Sequence, residues 1–140
     1  MARVLVPFDD SDPAREALEY AFDLFPNGEF VALTVADTSA VPFIPNAADD
    51  APDEQLEDLL GEATDQLSAA EDFAAERGVD IETHTRIGSP AQEIVEFAET
   101  NDVDHVVMGS RGRSGVTRIL LGSVAEVVVR HSSVPVTVVR

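Results

Sequence analysis

The sequence predicts an α/β fold: one domain, with a five-stranded parallel sheet covered by helices on both faces. Three observations carry this. Short apolar runs alternate with helical segments in the order β-α-β-α-β-α-β-α-β, which implies right-handed crossovers and parallel strands. A length of 140 residues with 44% apolar content fits one domain with a real core. Residues 106–123 place an apolar run, a glycine- and arginine-rich loop and a helix start in succession. Glycines let backbone N–H groups approach an anion, and a helix N-terminus adds a favourable dipole.

The elements follow in order. Residues 3–8 form a mostly apolar first strand, suited to a central position. Asp9-Asp10-Ser11-Asp12-Pro13 leads into a helix, with Asp12 as N-cap and Pro13 at the first helical position. Ala14, Ala17, Leu18, Ala21, Phe22 and Phe25 recur at helical spacing until Pro26-Asn27-Gly28 stops them. Residues 30–36 are a second apolar strand. Residues 37–50 form a loop long enough for a lid or functional segment, with Phe43 and Ile44 docked on the body. Residues 53–77 are helical, with a stripe of Leu56, Leu59, Leu60, Ala63, Leu67, Ala70 and Ala74 beside a solvated acidic face that includes Glu57, Glu62 and Asp65. Gly78 caps that helix.

Residues 79–87 alternate apolar and polar, which marks a half-buried or edge strand. Ser89, Pro90 and Gln92 read as a capping box opening a helix with Ala91, Ile94, Val95 and Ala98 on its apolar face. Residues 104–108 are the fourth strand, residues 123–130 a short helix apolar nearly all round, and residues 134–139 the last strand, with Pro135 near its start. In such sheets ligands bind beyond the carboxyl ends of strands where the strand order reverses, so Asp9 and Gly109 face one pocket if strands one and four are neighbours.

Charge narrows the function. Twenty-seven acids face nine basic residues, all arginine, for a net charge of −18. That balance points to a halophilic source, where salt screens self-repulsion, and it argues against nucleic-acid binding, which needs a basic face. Residues 110–140 depart from it, holding Arg111, Arg113, Arg118, Arg130 and Arg140 against the single acid Glu126. A positive island among glycines is a candidate anion site. The absence of cysteine excludes disulfides, thiolate zinc sites and cysteine nucleophiles, and no run is apolar enough for a membrane span. The start at Met1-Ala2-Arg3 shows no signal-peptide pattern, so a cytoplasmic location is expected.

No Walker-type phosphate loop is possible without lysine. A more specific pattern fits: Gly109-x2-Gly112-x9-Gly122-Ser123 resembles the ATP-binding signature of the universal stress protein family. Val6-Pro7-Phe8-Asp9-Asp10-Ser11 is similar to that family's first strand and loop, Gly88-Ser89-Pro90-Ala91 to its turn into the third helix, and Val134-Pro135-Val136-Thr137-Val138-Val139 to its closing strand. The resemblance implies strand order 3-2-1-4-5 and a site for ATP. Asp9 would hold the adenosine end, Ser11 in the same loop would also contact the nucleotide, and Pro7 and Val35 would pack about the base. Met108 would form the floor. Gly109, Arg111 and Gly112 would follow the ribose and phosphates, and Gly122, Ser123 and Val124 would close over the phosphates. Mg²⁺ or Mn²⁺ would be held through the phosphates, and the closing strand 134–139 would pair with its twin in a homodimer. Asp10 departs from the pattern, since many relatives carry a small neutral residue there, and a carboxylate near a phosphate opposes binding unless it is paired or turned to water.

The implied function is an ATP-binding regulatory domain in stress survival, with slow hydrolysis at most, because no lysine can neutralise the γ-phosphate. Two rivals share the fold: a homodimeric interaction module that binds no nucleotide, and an adenosine-handling enzyme such as a nucleotidyl transferase, against which stands the lack of a histidine pair near the loop. Simpler roles exist for single residues. Asp9 can cap its turn, Ser123 and Glu126 can form a capping box, and Arg113 and Arg118 can offset surface acids. His84, His105 and His131 have no ligand spacing and read as structural.

Overall fold

A computed structural model describes residues 2–38, 53–110 and 122–140. The elements are β1 (Arg3–Pro7), α1 (Asp12–Leu24), β2 (Glu29–Asp37), α2 (Asp53–Glu76), β3 (Ile81–Gly88), α3 (Pro90–Thr100), β4 (His105–Gly109), α4 (Ser123–His131) and β5 (Val136–Val139). All pairings are parallel, as the alternation of elements predicted, and the order is β3-β2-β1-β4-β5, as the family resemblance implied.

Side-chain alternation along each strand splits the core in two. Val4 and Val6 of β1 join Leu18 and Phe22 of α1, Ala70 and Ala74 of α2, and Val107 of β4 on one face. Leu5 of β1 and Val31 and Leu33 of β2 join Ile94 and Phe97 of α3 and Val128 of α4 on the other. The inner strands are buried on both faces and therefore read as unbroken apolar runs. Strand β3 lies at an edge and keeps a mixed pattern, as its alternation predicted. Among the described residues no helix is long and apolar enough to cross a membrane.

Several boundaries differ from the sequence reading. Ser11, not Asp12, is the N-cap of α1, and its hydroxyl accepts from the Ala14 N–H at 3.2 Å. Asp37 belongs to β2, and the rest of the predicted loop, with Phe43 and Ile44, lies outside the described residues. Val79 precedes β3: its N–H bonds the Ala74 carbonyl across Gly78, whose φ is +69°. Pro135 sits just before β5, yet its carbonyl still accepts from the Val106 N–H at 2.9 Å. Neither predicted capping box forms. Ser89 caps α3 without a side-chain bond, and Gly122 is the cap of α4, so Ser123 is already inside the helix and Glu126 pairs with Arg130 at 2.8 Å instead.

Candidate functional site

Strands β1 and β4 are neighbours, while α1 and α4 pack on opposite faces of the sheet. The strand order therefore reverses between them, and a crevice opens beyond their carboxyl ends. A cavity of about 430 Å³ occupies that place. Pro7 and Asp9 reach it from β1, Val35 from β2, and Met108 and Gly109 from β4. Gly122, Ser123 and Val124 reach it from the first turn of α4. These eight predicted positions come together; Arg111 and Gly112, with Arg113 and Arg118, lie outside the described residues.

Each wall has a local cause. Beyond β1, Phe8 is held to β2 from both sides: its N–H donates to the Leu33 carbonyl at 2.9 Å, and its carbonyl accepts from the buried Thr34 hydroxyl at 2.8 Å. That fixes the point where Asp9 leaves the sheet. Asp9 Oδ1 accepts from the Ser11 N–H at 3.1 Å and from the Ser11 hydroxyl. Ser11 itself does not line the cavity. Asp10 stands at φ +59°, the left-handed region, and its Oδ1 accepts from Arg15 Nε at 2.8 Å and Nη2 at 2.6 Å. Its carboxylate is thus paired with a cation and absent from the cavity lining, which removes the objection its charge raised.

At the β4 side, Ser110 donates its N–H to the Val139 carbonyl at 2.9 Å and accepts from the Gly122 N–H. These two bonds tie Ser110 to β5 and to the start of α4, next to the lining residues Gly109 and Gly122. Gly109 has a packing reason for lacking a side chain: a Cβ there would lie 2.9 Å from Pro13 Cβ and 3.0 Å from the Pro13 carbonyl oxygen. Gly122, at φ −65°, is in a conformation open to any residue, so the backbone does not require glycine there. Among the described residues no side chain caps α4, and the first turn, whose leading N–H groups have no partner within the helix, lines the cavity.

The sequence reading missed part of the lining. Leu59, Glu62, Ala63 and Gln66 of α2 form a wall, and Asp37 and Pro90 contribute edges. Glu62, assigned to a solvated face, is at the cavity because it flanks the apolar stripe on the side that overhangs the sheet's carboxyl edge. The cavity therefore has two unlike ends, with the acidic residues Asp37 and Glu62 on the β2 side and the first turn of α4 on the β4 side. Two histidines have structural surroundings, as expected. His84 contacts Glu82 at 2.5 Å and the Phe97 ring at 5.1 Å. His105 bonds the Thr137 hydroxyl at 2.6 Å beside the Phe25 ring, and burial holds its pKa below the ordinary value of 6.5.

The fold and crevice define a doubly wound α/β domain with a ligand-sized cavity at its topological switch point. The chain belongs to the universal stress protein family, whose model matches residues 1–140. It is 39% identical over 140 residues to universal stress protein MJ0531 of Methanocaldococcus jannaschii, covering 99% of this chain and 81% of that protein. The solved structure of MJ0577 from the same organism superposes with a TM-score of 0.84 at 30% identity, covering 99% of this chain and 94% of that one. A universal stress protein solved in complex with cAMP superposes with a TM-score of 0.60 at 26% identity, covering 99% and 97%.

Proposed function

We propose that the switch-point cavity binds an adenine nucleotide, ATP with Mg²⁺ or Mn²⁺ carried on the phosphates, and that the protein is a regulatory member of its family with little or slow hydrolysis. The observation that carries this reading is the first turn of α4 at the cavity, which no described side chain caps and which begins at a glycine whose backbone conformation does not call for one. Free N–H groups at a helix N-terminus are an anion site, and a missing side chain lets a phosphate approach the backbone. The two unlike ends orient the ligand. Phosphates belong on the β4 side, where Ser123 and Val124 line the cavity; Arg111 and Gly112, the other residues proposed for them, lie outside the described residues. The adenosine belongs on the β2 side, with Pro7, Val35 and Met108 about its apolar surface and Asp9 accepting from it. The related protein that holds cAMP supports an adenine nucleotide as the ligand class. The chain assembles as a homodimer through β5, which is an edge strand of the sheet.

A second reading, a nucleotide-free interaction module, draws on Gly109, whose lack of a Cβ is accounted for by Pro13 alone. The two part at Gly122. Gly122→Val should abolish ATP binding in calorimetric titration while the circular dichroism spectrum stays native. Unchanged affinity would refute the site.

A further inference from the structure

The turn 9–11 contains an arrangement that the nucleotide reading does not by itself require. Asp9 reaches the cavity and Ser11 does not, yet the Ser11 hydroxyl bonds both to Asp9 and to the start of α1. It donates to Asp9 Oδ1 at 2.5 Å and accepts from the Ala14 N–H at 3.2 Å. A hydroxyl has one proton and two lone pairs, so one group here serves two masters in a fixed sense. An N-cap needs the acceptor half alone. The donor half goes to a carboxylate that also takes the Ser11 N–H at 3.1 Å, through the same oxygen. Both donors converge on Oδ1. These bonds tie Oδ1 to the start of α1 and leave Oδ2 outside them. The neighbouring carboxylate is sorted the other way, since Arg15 draws Asp10 to the exposed side of α1.

We infer that Ser11 is a positioning residue, locking the Asp9 carboxylate to the start of α1 so that one defined oxygen is presented to the cavity. The inference rests on the proposal that Asp9 contacts the adenosine end of a nucleotide. Ser11 touches no ligand. Its contribution is orientation: an unlocked carboxylate must surrender rotational freedom on binding and can turn either oxygen to either neighbour.

The test uses the full chain in molar salt, with MgATP as titrant and ¹³C NMR of the Asp9 side-chain carboxylate in nucleotide-free protein. Ser11→Gly keeps a tolerated N-cap residue and removes the hydroxyl. It should weaken MgATP binding by about tenfold, the worth of one bond to a charged group, and shift the Asp9 carboxylate resonance. Ser11→Thr retains both halves of the hydroxyl's role and should restore wild-type affinity and resonance. The inference is overturned if Ser11→Gly binds as the wild type does, if its affinity falls while the Asp9 resonance stays in place, or if Ser11→Thr behaves like Ser11→Gly. A folded wild type that binds no MgATP overturns the nucleotide reading itself, and this inference with it.

Discussion

Gly109→Ala separates two reasons for a glycine at the tip of β4. The added Cβ would lie 2.9 Å from Pro13 Cβ, 3.0 Å from Pro13 O and 3.1 Å from Pro13 C. Carbon atoms rest at about 3.5–4.0 Å, so the neighbours must separate by roughly 0.5 Å or more. Pro13 cannot yield by changing rotamer, because its ring and carbonyl are part of the first turn of α1. That turn is held by the Ser11 cap, and β4 is held between β1 and β5. The strain should cost about 1–3 kcal/mol, as overpacking does elsewhere. For a domain of this size that corresponds to a fall in melting temperature of roughly 3–10 °C. The assay is thermal unfolding in molar salt without nucleotide, followed by MgATP titration of the folded protein. A melting temperature within about 1 °C of wild type would refute the packing argument and return Gly109 to the ligand.

Other predictions concern charge. Asp10→Gly relieves a left-handed residue, worth about 1 kcal/mol, but it loses an exposed ion pair and adds chain entropy to the unfolded state, each of similar size. Stability should stay within about 1 kcal/mol of wild type in denaturant titration, and MgATP affinity within about twofold; a tenfold gain in affinity would place the Asp10 carboxylate against the phosphates after all. His105 is a base whose folded pKa lies below 6.5 because it is half-buried. The unfolded chain then binds more protons just below that value, so stability is full above it and falls as pH drops toward the folded pKa. His105→Gln should flatten that decline between about pH 7 and 5, and parallel stability curves for the two proteins would contradict it.

Much of the architecture is legible in the sequence because inner strands are buried on both faces. Leu5 and Val6, Val31 and Ala32, and Val106 and Val107 are adjacent residues with opposite orientations and no exposure, so apolar runs mark them without ambiguity. The edge position of β3 shows as alternation for the same reason. Caps are less legible. Ser11 and Asp12 are both good N-cap residues, and the structure places the cap at Ser11 after a left-handed turn at Asp10, whose carboxylate pairs with Arg15; a positive φ at an aspartate carries no mark in the sequence. The cavity divides along similar lines. Positions at strand ends, such as Pro7, Asp9, Met108 and Gly109, follow from topology once the order of strands is known. The wall from α2 does not, because helical periodicity gives the width of an apolar stripe and not which flank overhangs a crevice. Glu62 and Gln66 carry no local mark that distinguishes them from their solvated neighbours. The role of Ser11 is hidden for another reason: a serine in a helix-start pattern looks the same whether or not its proton goes to a neighbouring carboxylate.

The central claim is that the crevice between β1 and β4 holds an adenine nucleotide by its phosphates on the first turn of α4. Purifying the protein in molar salt, stripping it by denaturation and refolding, and titrating it with MgATP by calorimetry tests this most directly. The account predicts saturable binding of one nucleotide per chain, lost in Gly122→Val and accompanied by slow turnover at most. No heat of binding from folded wild-type protein, or equal binding by Gly122→Val, would contradict it.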